Sequence, residues 1–118
     1  MAVNLQGRPS RRQSFYGDIK TISATTVYTC PPNCRAEISF IHIVNAGGNN
    51  SITIKWYIAA DTYESNFLTG KNFSTGEYLT FQDIDLILEA GDQIRVTTSA
   101  ADHFDIILTA VETFVPVG

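Results

Sequence analysis

Few side chains in this sequence could support catalysis or bind a metal. The two cysteines, Cys30 and Cys34, lie in the segment CPPNC, a Cys-x-x-x-Cys spacing that could frame a tight disulfide or half of a zinc site. A four-ligand zinc site would need further ligands, and the two histidines, His42 and His103, are not at a ligand-like spacing. The usual redox spacing is Cys-x-x-Cys. We therefore predict two reduced, partly buried thiols in a turn and no metal site.

Catalysis by histidine or paired carboxylates is not indicated either. His42 lies in an apolar stretch, and we predict that it is a hydrogen-bonded residue on the inward face of a core strand, because no nucleophile or carboxylate can be placed beside it. No nucleophile motif such as Gly-x-Ser-x-Gly occurs. Four nearby acids lack the ligand spacing of a calcium loop and are predicted to be surface acids beside a turn: Asp83, Asp85, Glu89 and Asp92. The sequence predicts a protein that is not an enzyme and uses no cofactor.

The elements that must position these residues are strands, because apolar residues recur with a period of two. Residues 35–45 and 51–59 alternate in this way around the turn AGGNN, which predicts a hairpin. Residues 93–98 and 104–111 predict a second hairpin, and one face of its last strand must be buried: Phe104, Ile106, Leu108 and Ala110. The two hairpins are expected to pair with each other. No window has helical spacing with a credible cap.

The remaining segments give weaker signals. Residues 19–30 are rich in Thr and β-branched side chains and predict one strand or two short ones, ended by Pro31 and Pro32. Short strands are predicted around residues 65–69 and over residues 77–81. Taken together, the pattern predicts an all-β protein with a single antiparallel, jelly-roll-like β-sandwich over residues 19–118. Residues 1–18 have no sustained period and are predicted to form an extended arm.

Charge is distributed unevenly between these two parts. Residues 1–20 contain four basic side chains and one acid, whereas residues 21–118 contain four basic side chains and eleven acids. The basic arm is either a solvated tail or a segment that docks on an acidic surface, such as that of a neighbouring subunit. Nucleic-acid binding is not expected, because the acidic remainder would repel phosphate. The apolar runs are too short for a membrane span, and no secretory signal is recognisable.

Two further stretches are informative: TVYTCPPNCRAEISFIHIVNAGGNNSITIKWYI and LILEAGDQIRVTTSAADHFDIILTAVE. Together with the segment between them they span roughly residues 25–113, and a few residues recur in order: Tyr28, Pro31 or Pro32, Asn45, Gly91 and Asp92. In this order the chain resembles the small β-sandwich virion structural proteins of tailed bacteriophages. The resemblance implies a capsid decoration (cement) protein or a tail or neck component, located in the virion after assembly in the host cytoplasm.

Decoration proteins of this kind are similar in being compact sandwiches, often trimers, that bind the shell through extended arms. For this chain, the resemblance implies a homotrimer that binds the major capsid protein or another virion protein. Arg8, Arg11 and Arg12 would then supply charge contacts, and Phe15 and Tyr16 would supply apolar anchors.

A carbohydrate-binding module is the alternative from another functional class. Jelly-roll sandwiches often bind sugars, and Trp56, Tyr57 and Tyr63 could stack on sugar rings. Trp56 is predicted to anchor the core, and a surface-contact role is the alternative, because indoles also serve interfaces.

Overall fold

The computed structural model describes residues 10–115, which form eight β-strands. The strands are β1 Ser10–Ile19, β2 Thr25–Thr29, β3 Cys34–Asn45, β4 Asn50–Ile58, β5 Tyr63–Phe73, β6 Tyr78–Glu89, β7 Gln93–Thr98 and β8 Phe104–Phe114. Among these residues there is no helix long and apolar enough to span a membrane. The all-β prediction is confirmed.

The strands form two four-stranded antiparallel sheets. The first sheet has the order β1-β8-β3-β6, and the second has the order β2-β7-β4-β5. The chain passes from one sheet to the other at every connection except that between β4 and β5, which is a true hairpin. Two four-stranded sheets linked by such crossovers make a jelly roll, so the predicted sandwich is confirmed.

The core lies between the sheets and is built from the inward-facing residues of both. It consists mainly of fully buried Ile, Leu, Val and Phe side chains, including Ile38, Ile41, Ile43, Ile52, Ile54, Leu88, Ile94, Val96, Phe104, Ile106 and Leu108. Every second residue of β8 from Phe104 to Glu112 is buried, which confirms the predicted face. Burial of branched aliphatic side chains on one side of each strand supplies the main driving force for this packing.

Both predicted hairpins are wrong. β3 and β4 belong to different sheets, and so do β7 and β8. Their connections, residues 46–49 and 99–103, are corners that meet at one end of the sandwich. There the backbone N–H of Gly48 donates to Asp102 Oδ2 at 2.6 Å. Asn50 Nδ2, at the start of β4, donates to the carbonyl of Ala100 at 2.8 Å. The expected neighbours are nevertheless correct, because β8 pairs with β3 in one sheet and β7 pairs with β4 in the other.

The predicted inward position of His42 is also wrong. A β-bulge between Ile38 and Phe40 inserts one residue into β3, so that the buried set changes from Ala36 and Ile38 to Ile41 and Ile43. A one-residue insertion moves every following side chain to the other face of the sheet. His42 therefore lies on the outer face, where it is half-buried.

The first strand of the sheet starts earlier than the predicted domain. Residues 10–18, predicted as part of the arm, belong to β1 and pair with β8 along their whole length. Residues 19–30 contain the end of β1 and the short strand β2. The predicted strand 65–69 falls within the longer strand β5, and the predicted strand 77–81 overlaps the start of β6 from Tyr78 onward, with Glu77 outside it.

The Gly91-Asp92 corner has a structural role between β6 and β7. Gly91 has a φ of 90°, a conformation that favours glycine. Asp92 was predicted to be a surface acid, and this is wrong: it is buried, and its carboxylate accepts backbone hydrogen bonds from Ala59 at 3.0 Å and Glu89 at 2.9 Å. The corner therefore joins the end of β4 to the β6–β7 connection.

Candidate docking face

Strand β1 divides four of the five predicted docking residues between two faces. Arg11 and Phe15 are opposite Glu112 and Leu108 of β8, both buried, so they lie on the inner side of the sheet. Arg12 and Tyr16 are on the outer side. Arg8 lies outside the described residues. Successive side chains of a strand point to opposite faces, so Arg11 and Phe15 form an inner pair, whereas Arg12 and Tyr16 form an outer pair with different surroundings.

The inner pair has partners within the chain. Glu112, only 5% exposed, accepts a hydrogen bond from Arg11 Nη2 at 2.7 Å and another from Tyr28 Oη at 2.6 Å. Phe15 packs edge-on against the Tyr28 ring, with ring centroids 4.7 Å apart. Burial and the hydrogen bond to Glu112 raise the pKa of Tyr28 well above its usual range, so it is protonated at neutral pH. Arg11 and Phe15 therefore attach β1 to its own sandwich.

The outer pair adjoins an exposed apolar surface that crosses all four strands of the first sheet. Tyr16 is opposite Ile107 of β8, which is opposite His42 of β3. The His42 ring lies between Phe40, at a centroid distance of 6.5 Å, and Tyr78, at 5.7 Å. We call these five residues the outer-face patch. Its most exposed members are Tyr16 at 81%, Tyr78 at 66% and Ile107 at 42%.

Charged side chains border the outer-face patch at the end of the sheet near the start of β1. Arg12 is exposed and has no ion-pair partner among residues 10–115. Arg35 pairs with Glu89 at 3.2 Å. A hydrogen bond that the protonated Glu37 carboxyl donates to Asp85 raises the pKa of Glu37, as expected where two carboxyl groups share a proton. This border can therefore offer a free guanidinium group beside apolar surface.

His42 has one side-chain hydrogen-bond partner among residues 10–115. Its Nδ1 and Thr80 Oγ1 lie 2.8 Å apart and share a hydrogen bond. No cysteine or carboxylate is hydrogen-bonded to the ring among the described residues. The histidine therefore serves as a flat, half-buried component of the outer-face patch.

The cysteines are free, as predicted. Cys30 is buried, and its Sγ donates to the carbonyl of Cys34 at 3.4 Å. Burial, together with the neighbouring Cys34, raises the pKa of the Cys30 thiol to about 11. A thiol that stays protonated at neutral pH is a poor nucleophile and a poor metal ligand.

The second sheet does not assemble the three predicted sugar-stacking residues into one surface. Trp56 is opposite the buried Ile94 and packs against the core, whereas Tyr57, the next residue, faces outward. The guanidinium of Arg95 covers the Tyr57 ring at 3.8 Å and pairs with Glu64 at 2.7 Å. Tyr63 is exposed at the start of β5, on the same side of the sheet as Trp56. The three rings therefore do not form a single platform.

Sequence reasoning missed two groupings that depend on strand register. The first is the outer-face patch, in which only Tyr16 was selected. The second joins Asp18, His103 and Asp105, whose ligand atoms all lie within 4.8 Å of one another. The i, i+2 spacing of His103 and Asp105 was a visible signal, but Asp18 is distant in the chain and only the β1–β8 register places it beside them.

Comparison with known proteins identifies the fold but no sequence family. No protein-family model matches the chain, and no curated protein matches it. Among solved structures, a protein from Bacillus endospore appendages, described as disulfide-linked pili, has a TM-score of 0.52 and 14% identity, covering 91% of this chain and 89% of that one. The VP2 protein of an infectious bursal disease virus subviral particle has a TM-score of 0.53 and 12% identity, covering 89% of this chain and 33% of that one.

A third solved structure, PirA, has a TM-score of 0.50 and 18% identity, covering 85% of this chain and 92% of that chain. Identities this low show a common fold and nothing more. The three neighbours therefore support the sandwich architecture and leave the role of this chain to be argued from its own surface.

Proposed function

We propose that this protein is a non-enzymatic structural component of a bacteriophage virion, specifically a decoration protein that binds and stabilises the capsid surface. The observation that carries the proposal is the outer-face patch, an exposed apolar surface that crosses the sheet to which the N-terminal strand belongs. Contiguous exposed apolar surface with a polar border is typical of protein interaction sites. Tyrosine and arginine, as in Tyr16 and Arg12, are the residue types that most often dominate binding energy.

The docking contacts follow from the position of β1 at the edge of the first sheet. Tyr16, Ile107 and Tyr78 supply apolar area to the major capsid protein, and Arg12 supplies a charge contact at the border. Arg8 adds to that contact from the segment before β1. Arg11 and Phe15 hold β1 in place through Glu112 and Tyr28.

Two further observations support an assembly role over a catalytic or sugar-binding one. Proteins of pili and of a subviral particle have this fold. The three aromatic residues considered for sugar stacking do not share one surface.

The test uses virions from which the gene for this protein has been deleted. Purified wild-type protein and variants are added, unbound protein is removed by sedimentation, and the bound protein is quantified. We expect Tyr16→Ser with Ile107→Ser to weaken binding at least tenfold, because loss of two central apolar contacts costs more than about 1.4 kcal/mol. Tyr63→Ser removes a comparably exposed tyrosine from the other sheet and should bind as wild type.

Electron microscopy of the same particles locates the protein. Protrusions on the shell that return on addition of wild-type protein would support a decoration protein. Density at the tail or neck would contradict it and favour a connecting virion protein.

Two further experiments test the remaining parts of the proposal. Removing residues 1–9, which leaves β1 whole, measures the contribution of Arg8 to virion binding. Light scattering tests the trimer implied by the resemblance.

A further inference from the structure

Asp18, His103 and Asp105 form a compact group of metal-ligating side chains on the outer side of the first sheet. His103 Nε2 lies 2.8 Å from Asp18 Oδ1 and 3.0 Å from Asp105 Oδ1. The other oxygen of Asp18 pairs with Lys20 Nζ at 3.4 Å. One nitrogen and two carboxylate oxygens therefore converge on one point from β1, from β8 and from the residue that precedes β8.

The backbone fixes this arrangement. Asp18 and Asp105 are direct partners in the β1–β8 ladder, and the next pair along it, Ile19 and Phe104, is fully buried. The two carboxylates are therefore held opposite each other by strands anchored in the core. Like charges in directly opposite positions destabilise a sheet unless a positive charge lies between them.

The spacing of the three atoms suits a metal ion. With metal–ligand bonds of about 2.1 Å, neighbouring ligand atoms are about 3.0 Å apart in a six-coordinate site and about 3.4 Å apart in the tetrahedral geometry usual for Zn²⁺. The two distances from Nε2 are close to the six-coordinate separation, and all three ligand atoms lie within 4.8 Å of one another. An N–H group on Nε2 is directional and can donate a good hydrogen bond to only one of the two carboxylates. A metal ion, by contrast, accepts a lone pair from all three ligands.

We propose that Asp18, His103 and Asp105 bind a divalent transition-metal ion, with Zn²⁺ as its representative. A ligand set with one imidazole and two carboxylates suits Zn²⁺ or Mn²⁺ better than Ca²⁺, which takes oxygen ligands only. The side chains are between 35% and 47% exposed, so the ion can enter and keeps open positions for water or for a ligand from a partner. This inference does not depend on the proposed decoration role.

The test is calorimetric titration of ZnCl₂ into chelator-treated full-length protein at neutral pH. We expect saturable binding of one ion per chain. Both Asp18→Asn and His103→Gln should lower the affinity for Zn²⁺ at least tenfold, because loss of even the hydrogen-bond partners of metal ligands typically costs about 10- to 100-fold in affinity. His42→Gln is the matched control, because it removes the other histidine and should bind Zn²⁺ as wild type does.

Nuclear magnetic resonance of the titrated protein locates the ion independently of affinity. We expect the ring signals of His103 to shift on adding Zn²⁺ while those of His42 stay in place. Absence of saturable binding, or equal binding by wild type and both ligand variants, would overturn the proposal. Shifts confined to Cys30 and Cys34 would overturn it as well. Circular dichroism verifies that Asp18→Asn is folded. We expect it to fold, because the substitution removes one of two like charges that lie opposite each other.

Discussion

The two sides of strand β1 carry similar residues with different roles. On the inner side, Arg11 and Phe15 contact Glu112 and Tyr28 of the same sandwich. On the outer side, Arg12 is exposed and Tyr16 is 81% exposed beside other apolar side chains. Residue type does not separate a side chain that stabilises the fold from one available to a partner. Position on the alternating strand does, because it decides which groups are already satisfied.

The largest contrast between the two sides is expected in β8, at two adjacent residues. Leu108→Ala should lower the free energy of unfolding by about 2–5 kcal/mol, because it leaves a cavity at a fully buried position. Ile107→Ala, on the outer side, should change it by no more than about 0.5 kcal/mol. Denaturant unfolding of both variants measures the difference, and equal losses would contradict the assigned faces.

A second contrast compares the neighbouring aromatic residues of β1. Phe15→Ala should cost about 2–3 kcal/mol, less than a fully buried phenylalanine, because its ring is half-buried against Tyr28. Tyr16→Ala should leave the stability nearly unchanged while reducing virion binding. The pair is checked by thermal unfolding together with the sedimentation assay. A stable Phe15→Ala variant that loses virion binding would show that the inner residue, not the outer one, contacts the partner.

A smaller effect is expected from the hydroxyl group of Tyr28. Tyr28→Phe removes the donor at 2.6 Å from Glu112 Oε2 and keeps the ring that contacts Phe15. The buried carboxylate then has one hydrogen bond fewer, and we expect a loss of about 1.5 kcal/mol in unfolding free energy. Urea titration at neutral pH measures it. An unchanged midpoint would mean that Arg11 alone satisfies Glu112.

The smallest effect concerns alkaline pH and the buried thiol. Burial raises the pKa of Cys30 from 9.0 to about 11, so the folded state holds this proton more tightly than the unfolded state does. This contribution to stability is fully present below pH 9 and is lost as the pH rises to about 11. In Cys30→Ala, the fall in stability over that interval should be shallower. Unfolding midpoints measured across this pH range for both proteins give the comparison, and parallel curves would contradict it.

Several features could be predicted from the sequence because they depend on local pattern. The period of two identified β3, β4 and β8 to within a residue or a few, and the buried face of β8 followed from Phe104, Ile106 and Leu108. The neighbours β3–β8 and β4–β7 were expected as well. Burial of alternate apolar side chains is a strong driving force for folding, and it is visible in the sequence as an apolar period of two.

The sequence could not predict whether the two strands joined by a short loop pair with each other or lie in different sheets. A short polar loop such as residues 46–49 suits a hairpin and a corner between sheets equally well. Here the bond from Gly48 to Asp102 and the close approach of Gly47 to the same side chain hold two connections together as corners. The bulge before Phe40 was also invisible, and it alone moved His42 from the predicted core to the outer-face patch.

By itself, the sequence determined the all-β sandwich and the lack of a recognisable catalytic motif, since each depends on composition or on residues close together in the chain. Only the tertiary structure decided which of Arg11, Arg12, Phe15 and Tyr16 are free to bind, and which residues stand beside them. It also brought Asp18 to His103 and Asp105. Both outcomes depend on the register of β1 against β8, which arises from long-range packing of the two strands.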